Sequence, residues 1–524
     1  MTTQDPDIQN IVDEEYSDPS NYPDYVQYAL DYALTVKQPD GQEVNYSKEM
    51  MKLYFQNEDP SFDLLFDSQD EGQTYVDRYK ANILADGSTV VAERVSFAPQ
   101  PQSAMTIIDQ HTGYVKAIIG GRGTKTASLT LNRATDSTRQ PGSTFKIVST
   151  YAAALNEKGM TLATTYEDQP ITYDNGAPVN NASGSFNGTT TIRTAIRNSV
   201  NTVAVQCFED VTPELGLKYL DNFGFTTLAH GTEADTDANG NVYTDANLPT
   251  ALGGLTYGVK NVELCAAYAA IANGGNYIKP VYYTKILDHN GNVLIENNSV
   301  GRSVIKETTA YLLTSALEDV VQNGTGTACQ LDNMAVAGKT GTTDAYNDLW
   351  FVGYTPYYTC AVWSGYDGNQ KIPEGDARNF HKTLWRKVMN RIHQGMEYKD
   401  FEVPDGIEQI SICADTGLLP RVGCPVTEEY FDVGTMPTEY CDQHFYEYDE
   451  SQDEDMEISD ENATPTPDPE NPDGTDNADG SGGDGTGGDG TGGDGTGGDG
   501  TGGGDIQYPD ESGGDSGNDD IYYY

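Results

Sequence analysis

Arg139-Gln140-Pro141-Gly142-Ser143-Thr144-Phe145-Lys146 is the stretch on which the reading of this chain turns. Pro141 and Gly142 mark a turn. Residues 143–155 are rich in helix-compatible side chains, so Ser143 is expected at a helix N-terminus. Lys146 follows one turn later on the same helical face. A serine hydroxyl is a weak nucleophile near neutral pH and needs a base within hydrogen-bond reach. A lysine one turn away serves as that base when burial or a second cation lowers its pKa. Free N–H groups at the helix N-terminus can stabilise an oxyanion. Taken alone, Ser-x-x-Lys is better explained as a serine N-cap beside a solvated lysine. Two further motifs overturn that explanation.

Ser199-Val200-Asn201 and Lys339-Thr340-Gly341 follow in that order. Singly, the first reads as a helix cap and the second as a strand leaving for a turn. Together, Ser-x-x-Lys, Ser-x-Asn and Lys-Thr-Gly form the signature of serine acyl-enzymes that handle penicillins and D-Ala-D-Ala peptides. Val200 stands where class A β-lactamases carry Asp, and no Glu-x-x-Leu-Asn lies between Ser199 and Lys339 to hold a deacylating water.

The flanks carry the likeness further. Asn132-Arg133-Ala134-Thr135 precedes the first motif, and Ala195-Ile196-Arg197-Asn198 leads into the second. Ala269-Ala270-Ile271-Ala272-Asn273-Gly274-Gly275 lies between the second and third. The third continues through Thr342-Thr343 to Asp348-Leu349-Trp350-Phe351-Val352-Gly353-Tyr354, then Val362-Trp363-Ser364-Gly365-Tyr366-Asp367. Residues 100–395 thus resemble the transpeptidase domain of class A penicillin-binding proteins. Residues 413–444, with Ala414-Asp415-Thr416-Gly417 and Gly434-Thr435-Met436-Pro437, resemble the C-terminal extension of such proteins.

The resemblance implies a D,D-transpeptidase working through an acyl-enzyme at Ser143. Lys146 takes the serine proton, Ser199 shuttles a proton to the leaving group, and Asn201 bonds Lys146 and the substrate backbone. Lys339 adds positive charge that keeps Lys146 neutral and attracts the substrate carboxylate. Thr340, Gly341, Thr342 and Thr343 line the substrate strand. The backbone N–H groups of Ser143 and Thr342 make the oxyanion hole. No cofactor and no metal is expected; the partners are peptidoglycan stem peptides, with β-lactams as inhibitors. Alternatives are a D,D-carboxypeptidase and a non-catalytic β-lactam sensor. Class A members also carry a membrane anchor and a glycosyltransferase domain. Neither is in this sequence, so the chain is expected to be a truncated product, a mis-started reading frame or a deliberate fragment. The expected location is the extracytoplasmic face of the cell membrane, reached through an anchor absent from this chain.

The 524 residues suffice for two or three domains. A net charge of −51 argues against nucleic-acid binding and against a basic patch on anionic lipid. No run of apolar residues is long enough to span a bilayer. Cys207, Cys265, Cys329 and Cys360 are scattered among apolar neighbours and read as core. Cys413, Cys424 and Cys441 cluster near His444; without a Cys-x-x-Cys pair, a disulfide in an oxidising compartment is preferred over zinc. His111, His289 and His381 fit no catalytic role.

In chain order, residues 1–95 read as a linker or pedestal with helices at 25–36 and 75–84. Residues 103–121 read as a hairpin turning at Gly113. Helices are expected at 191–209, broken at 198–201, and at 212–223, 262–272, 306–321 and 378–394. An Asn-Gly hairpin is expected at 282–295, and strands near 334–345, 349–354 and 358–365. Strands at both ends of residues 96–396 with helices between them give an α+β fold: an antiparallel sheet flanked by helices, with a helical subdomain. Residues 397–446 form a Cys-bearing extension. Residues 447–524, with tandem Gly-Gly-Asp-Gly-Thr copies, read as a disordered acidic tail.

Overall fold

The computed structural model describes residues 1–84, 87–125 and 127–444. The tail expected at 447–524 lies outside these residues. The central sheet of the described residues has five antiparallel strands in the order Ala337–Thr342, Asp348–Tyr354, Thr359–Gly365, Gln102–Asp109, Tyr114–Ile119. The hairpin turning at Gly113 (φ +71°) is therefore joined to strands from the far end of the domain, as expected. Both sheet faces are covered, so the Asp348–Tyr354 and Thr359–Gly365 strands are buried throughout.

Side-chain alternation sorts these strands between two cores. Trp350, Val352, Tyr354, Ala361 and Trp363 face the helical core that includes Asn261–Ala272 and Glu307–Asn323. Phe351, Cys360 and Val362 face the Phe380–His393 helix, where Trp385 packs edge-on against Phe351. The helices expected between the strands are present as Ile192–Asn198, Asn201–Val211, Pro213–Asn222, Asn261–Ala272 and Glu307–Asn323. The Asn-Gly hairpin pairs Lys285–Leu287 with Val293–Glu296.

The N-terminal region departs from expectation. Residues 25–36 are not a helix: Gln27–Lys37 is a strand. Its Leu30, Tyr32, Leu34 and Val36 alternate onto one buried face, and it pairs along its length with Thr89–Gln100. Ala and Leu give the segment helical propensity, but cross-strand pairing and the small core it shares with Phe55, Val76 and Tyr79 override that. The second expected helix is present as Gln69–Ile83. A helix not foreseen, Pro6–Ser17, is capped by Asp5 and buries Ile8, Val12 and Tyr16 in the same core as Trp385. Among the described residues, no helix is long and apolar enough to cross a membrane.

Candidate active site

From Pro141 to Leu155 every residue is buried except Ser143, which is half-exposed. Gly142–Thr144 makes a 3-10 turn, Lys146–Tyr151 winds as a π-helix, and Ala152–Glu157 returns to α geometry. Ser143 thus sits at the start of a helical segment, as expected, though not of a regular α-helix; π-turns recur at functional sites. Three glycines bring backbone against this turn. A Cβ on Gly142 (φ +54°) would lie 2.8 Å from the Thr342 carbonyl oxygen. One on Gly341 would lie 2.5 Å from the Pro141 oxygen, and one on Gly253 2.5 Å from the Gly142 oxygen.

Lys146 is fully buried. Its Nζ donates to Asn201 Oδ1 (2.6 Å), the Ser199 carbonyl (2.7 Å) and Ser199 Oγ (3.3 Å). Burial, then the positive charge of Lys339, hold its pKa well below the usual lysine value, against a smaller opposing pull from Asp344. Lys339, also buried, donates from Nζ to Ser199 Oγ (2.9 Å) and to the Thr340 carbonyl (3.1 Å). Burial lowers its pKa to about 7. Three motifs far apart in sequence therefore meet at one hydroxyl.

Ser199 ends the Ile192–Asn198 helix in the left-handed region (φ 57°, ψ 42°), and Asn201 starts the next helix. The expected break at 198–201 is this corner, and a non-glycine residue held at positive φ marks stored strain. Asn201 is fixed at three points: Oδ1 on Lys146, its amide donating to the Asn180 carbonyl (2.6 Å), and its N–H donating to Asn181 Oδ1 (2.9 Å).

The Lys339 strand is the sheet's edge, bonded on one side only, which leaves a row of backbone groups free beside Ser143. Thr340 Oγ1 lies 2.7 Å from Thr325 Oγ1 at the rim, and Thr342 is exposed. The Thr343 hydroxyl accepts the Asp348 N–H (3.0 Å) and closes the turn into the next strand. A groove of about 420 Å³ beside Ser199 is lined by Asn181, Ser183, Asn187, Asn198, Asn323 and Thr325.

Several supporting residues were not legible as such. Asp168, buried, accepts from Asn181 (2.6 Å), the Thr202 hydroxyl (2.6 Å) and both the N–H and amide of Asn187. It pins the 181–187 loop over Asn201. The flanking motifs are clamps. Trp350 Nε1 donates to the Gln140 carbonyl (2.9 Å), Trp363 Nε1 to Asp348 (2.8 Å), and Arg133 makes a two-pronged ion pair with Asp367 at 2.6 Å.

A sequence profile described as penicillin binding protein transpeptidase domain matches residues 103–390, more than half of the chain. The chain belongs to the penicillin-binding protein transpeptidase family. A second profile, penicillin-binding protein 1A, C-terminal domain, matches residues 403–446. Relatives named penicillin-binding protein 1A include one from Clostridium tetani, 34% identical over 66% of this chain and 45% of its own length. Another, from Clostridium acetobutylicum, is 33% identical over 70% of this chain and 46% of its own. The chain thus spans less than half the length of these curated relatives. Among solved structures, penicillin-binding protein 1A from Haemophilus influenzae matches in fold with a TM-score of 0.59, covering 84% of this chain and 72% of that one at 21% identity. The PonA1 protein of Mycobacterium tuberculosis in complex with penicillin V matches at 0.50 and 27% identity, covering 58% of this chain and 81% of that one.

The penicillin-binding fold buries Cys207, Cys265, Cys329 and Cys360 as expected. The disulfide expected among Cys413, Cys424 and Cys441 is not formed; all three thiols are free. Two of them lie against the His444 ring, with Nδ1 3.5 Å from Cys413 Sγ and 3.4 Å from Cys441 Sγ. His111 is exposed, while His381 is buried and held neutral by desolvation, its pKa lowered to about 3.

Proposed function

We propose that this chain carries the D,D-transpeptidase activity of a peptidoglycan-synthesising penicillin-binding protein. Ser143 Oγ attacks the carbonyl carbon of the penultimate D-Ala of a stem peptide, and its proton passes to Lys146 Nζ. The N–H groups of Ser143 and Thr342 receive the oxyanion. Collapse breaks the peptide bond, and the departing D-Ala nitrogen takes a proton from the Ser199 hydroxyl, which is resupplied by the lysines bonded to it. An amine of a neighbouring stem peptide then attacks the ester carbonyl, its proton passing through Lys146 to the departing Ser143 Oγ, which forms the cross-link and restores the free serine. Lys339 and the Thr340 and Thr342 hydroxyls hold the terminal carboxylate, and the edge strand pairs with the substrate backbone. The Thr343 hydroxyl, occupied by Asp348, serves the turn.

One observation carries this reading: a buried lysine bonded to Ser199 and Asn201, its pKa pulled well below the usual lysine value by burial and a second cation, one turn from a serine that alone in its segment reaches solvent. We place the activity at the extracytoplasmic face, and divide the chain into an N-terminal region (1–95), the transpeptidase domain (96–396), the extension (397–446) and the tail (447–524). β-Lactams act as substrate mimics that leave Ser143 acylated.

The test is intact-protein mass before and after a labelled penicillin. A stable adduct lost in Ser143→Ala supports the acyl-enzyme; no adduct on folded protein rejects it. Stem peptide with an amine acceptor then yields a cross-linked product for a transpeptidase. Free acid alone identifies a carboxypeptidase.

A further inference from the structure

We propose that Cys413, Cys424, Cys441 and His444 form a structural zinc site that ties the C-terminal extension together. Their ligand atoms, three Sγ and one imidazole nitrogen, all lie within 4.8 Å of one another. A tetrahedral zinc with Zn–S of about 2.3 Å and Zn–N of about 2.0 Å sets S···N edges of about 3.5 Å. The two S···N separations to Nδ1 are 3.5 and 3.4 Å. A disulfide would consume two of the three sulfurs and strand the third with the imidazole; a metal uses all four.

The four ligands come from three segments. Cys413 closes the Ile407–Cys413 strand, and Cys424 precedes its partner Val426–Asp432 across the hairpin. Cys441 and His444 return from beyond the hairpin as Cys-x-x-His, brought in by the bonds Leu419 N–H to Glu439 carbonyl (2.9 Å) and Cys441 N–H to Leu419 carbonyl (2.8 Å). Outer groups are in place as well. His444 Nε2 lies 3.3 Å from Asp415 Oδ2, which orients the ring with Nδ1 toward the sulfurs. The Arg421 N–H donates to Cys424 Sγ (3.2 Å), the contact that stabilises a bound thiolate.

Three thiolates and an imidazole in a closed tetrahedron select zinc over hard oxygen-seeking cations. Binding releases the three thiol protons to solvent and changes no oxidation state. The tie adds to a small apolar anchorage: Ile412 and Phe431 cluster with Ala163, and Phe401, Ile407 and Tyr430 lie partly buried against the main core, while the cysteine-bearing arms contribute little to either. The metal closes the arms at 414–425 and 433–444, and takes no ligand from the Ser143, Ser199 and Lys339 motifs.

The test uses the full chain purified under mild reductant without chelator. Elemental mass spectrometry is expected to find about one zinc per chain. Chelator should release that zinc and expose three further thiols to a chromogenic disulfide reagent. Cobalt(II) added to the stripped protein should give the intense visible absorption of a tetrahedral cobalt thiolate. Cys441→Ser with His444→Ala should abolish stoichiometric zinc, while penicillin labelling, read separately, reports whether the rest of the chain is folded. Iron or copper in zinc's place, metal retained in the double variant, or two of the three cysteines recovered as a disulfide in metal-free protein each overturns the proposal.

Discussion

Lys146 and Lys339 donate to the same hydroxyl oxygen, Ser199 Oγ, at 3.3 and 2.9 Å. Two ammonium groups so close in a buried site cannot both stay charged cheaply. Protonated, Lys146 cannot take the Ser143 proton; deprotonated, Lys339 cannot attract a carboxylate. Acylation by a peptide substrate is therefore expected to be bell-shaped in pH. Lys146 sets the acid limb, and Lys339, at about 7, begins the alkaline one. Lys339→Arg keeps its charge and should move the alkaline limb up by more than about one pH unit while lowering the maximum. Measuring kcat/KM across pH decides it; an unmoved limb assigns the descent to another group.

The same burial has a cost in stability. Lys339 falls from 10.5 to about 7 on folding, so the unfolded chain binds the extra proton between those values. Stability therefore rises with pH through that window, and the penalty is complete below it. Lys339→Met should be more stable than the parent by about 2–4 kcal/mol at pH near 6, the gain fading toward pH 10.5, while acylation is lost. Urea midpoints at three pH values test this. A gain independent of pH would mean that packing, not charge, is responsible.

Gly142 holds a left-handed φ of +54° within reach of the Thr342 backbone. Gly142→Ala adds a Cβ that must push the Ser143 turn away from the edge strand. A misplacement of about 1 Å at a reacting centre costs about 10²-fold in rate. The expected result is a penicillin acylation rate reduced about 10- to 100-fold with a melting temperature lowered by only a few degrees. Stopped-flow acylation and calorimetry read the two separately, and equal losses in both would deny a positioning role.

The candidate site residues that meet in space could be read from the sequence because their spacing suits the fold: Lys146 one turn from Ser143, Ser199 and Asn201 either side of a corner, Lys339 on an edge strand. The sheet strands were legible too, since residues 348–354 and 359–365 are apolar and β-branched enough to be buried on both faces. Local pattern failed where tertiary pairing decides. Tyr25-Val26-Gln27-Tyr28-Ala29-Leu30 carries helical propensity and alternation at once, and only the 89–100 strand resolves it. The role of Asp168 was illegible because its four donors come from three separate positions in the chain. Cys413, Cys424, Cys441 and His444 were legible as a cluster, but the lack of a Cys-x-x-Cys pair favoured a disulfide, which the free thiols do not form.

Asp168 sits under the Asn181 loop as a buried acceptor for Asn181, Thr202 and Asn187. Asp168→Ala strands the Asn181 amide and the Thr202 hydroxyl in the interior, while the exposed Asn187 can turn to water. Each unpaired buried group costs about 1–3 kcal/mol, so a total of about 3–5 kcal/mol is expected. Because Asn181 Oδ1 also receives the Asn201 N–H (2.9 Å), the acylation rate should fall beyond what the folded fraction explains. Penicillin acylation normalised to folded protein by circular dichroism tests the point; unchanged specific acylation would make Asp168 purely structural.

Arg193 joins the transpeptidase helices to the C-terminal hairpin. Its Nε and one terminal nitrogen grip Glu429 at 2.6 Å each, and it also donates to the Ser315 carbonyl (3.2 Å) and hydroxyl (3.0 Å). The Glu429 side chain is 3% exposed. Removing Arg193 alone leaves that carboxylate buried with the Tyr430 N–H (2.8 Å) as its remaining donor, which costs about 3–5 kcal/mol. Arg193→Met should therefore lower the urea midpoint sharply and open the 407–432 hairpin to proteolysis first. Pairing it with Glu429→Leu removes the stranded charge, and the double variant should be more stable than Arg193→Met alone by about 2 kcal/mol. If the two losses simply add, the pair carries no coupling, and the hairpin is held on by the apolar contacts around Phe431 instead.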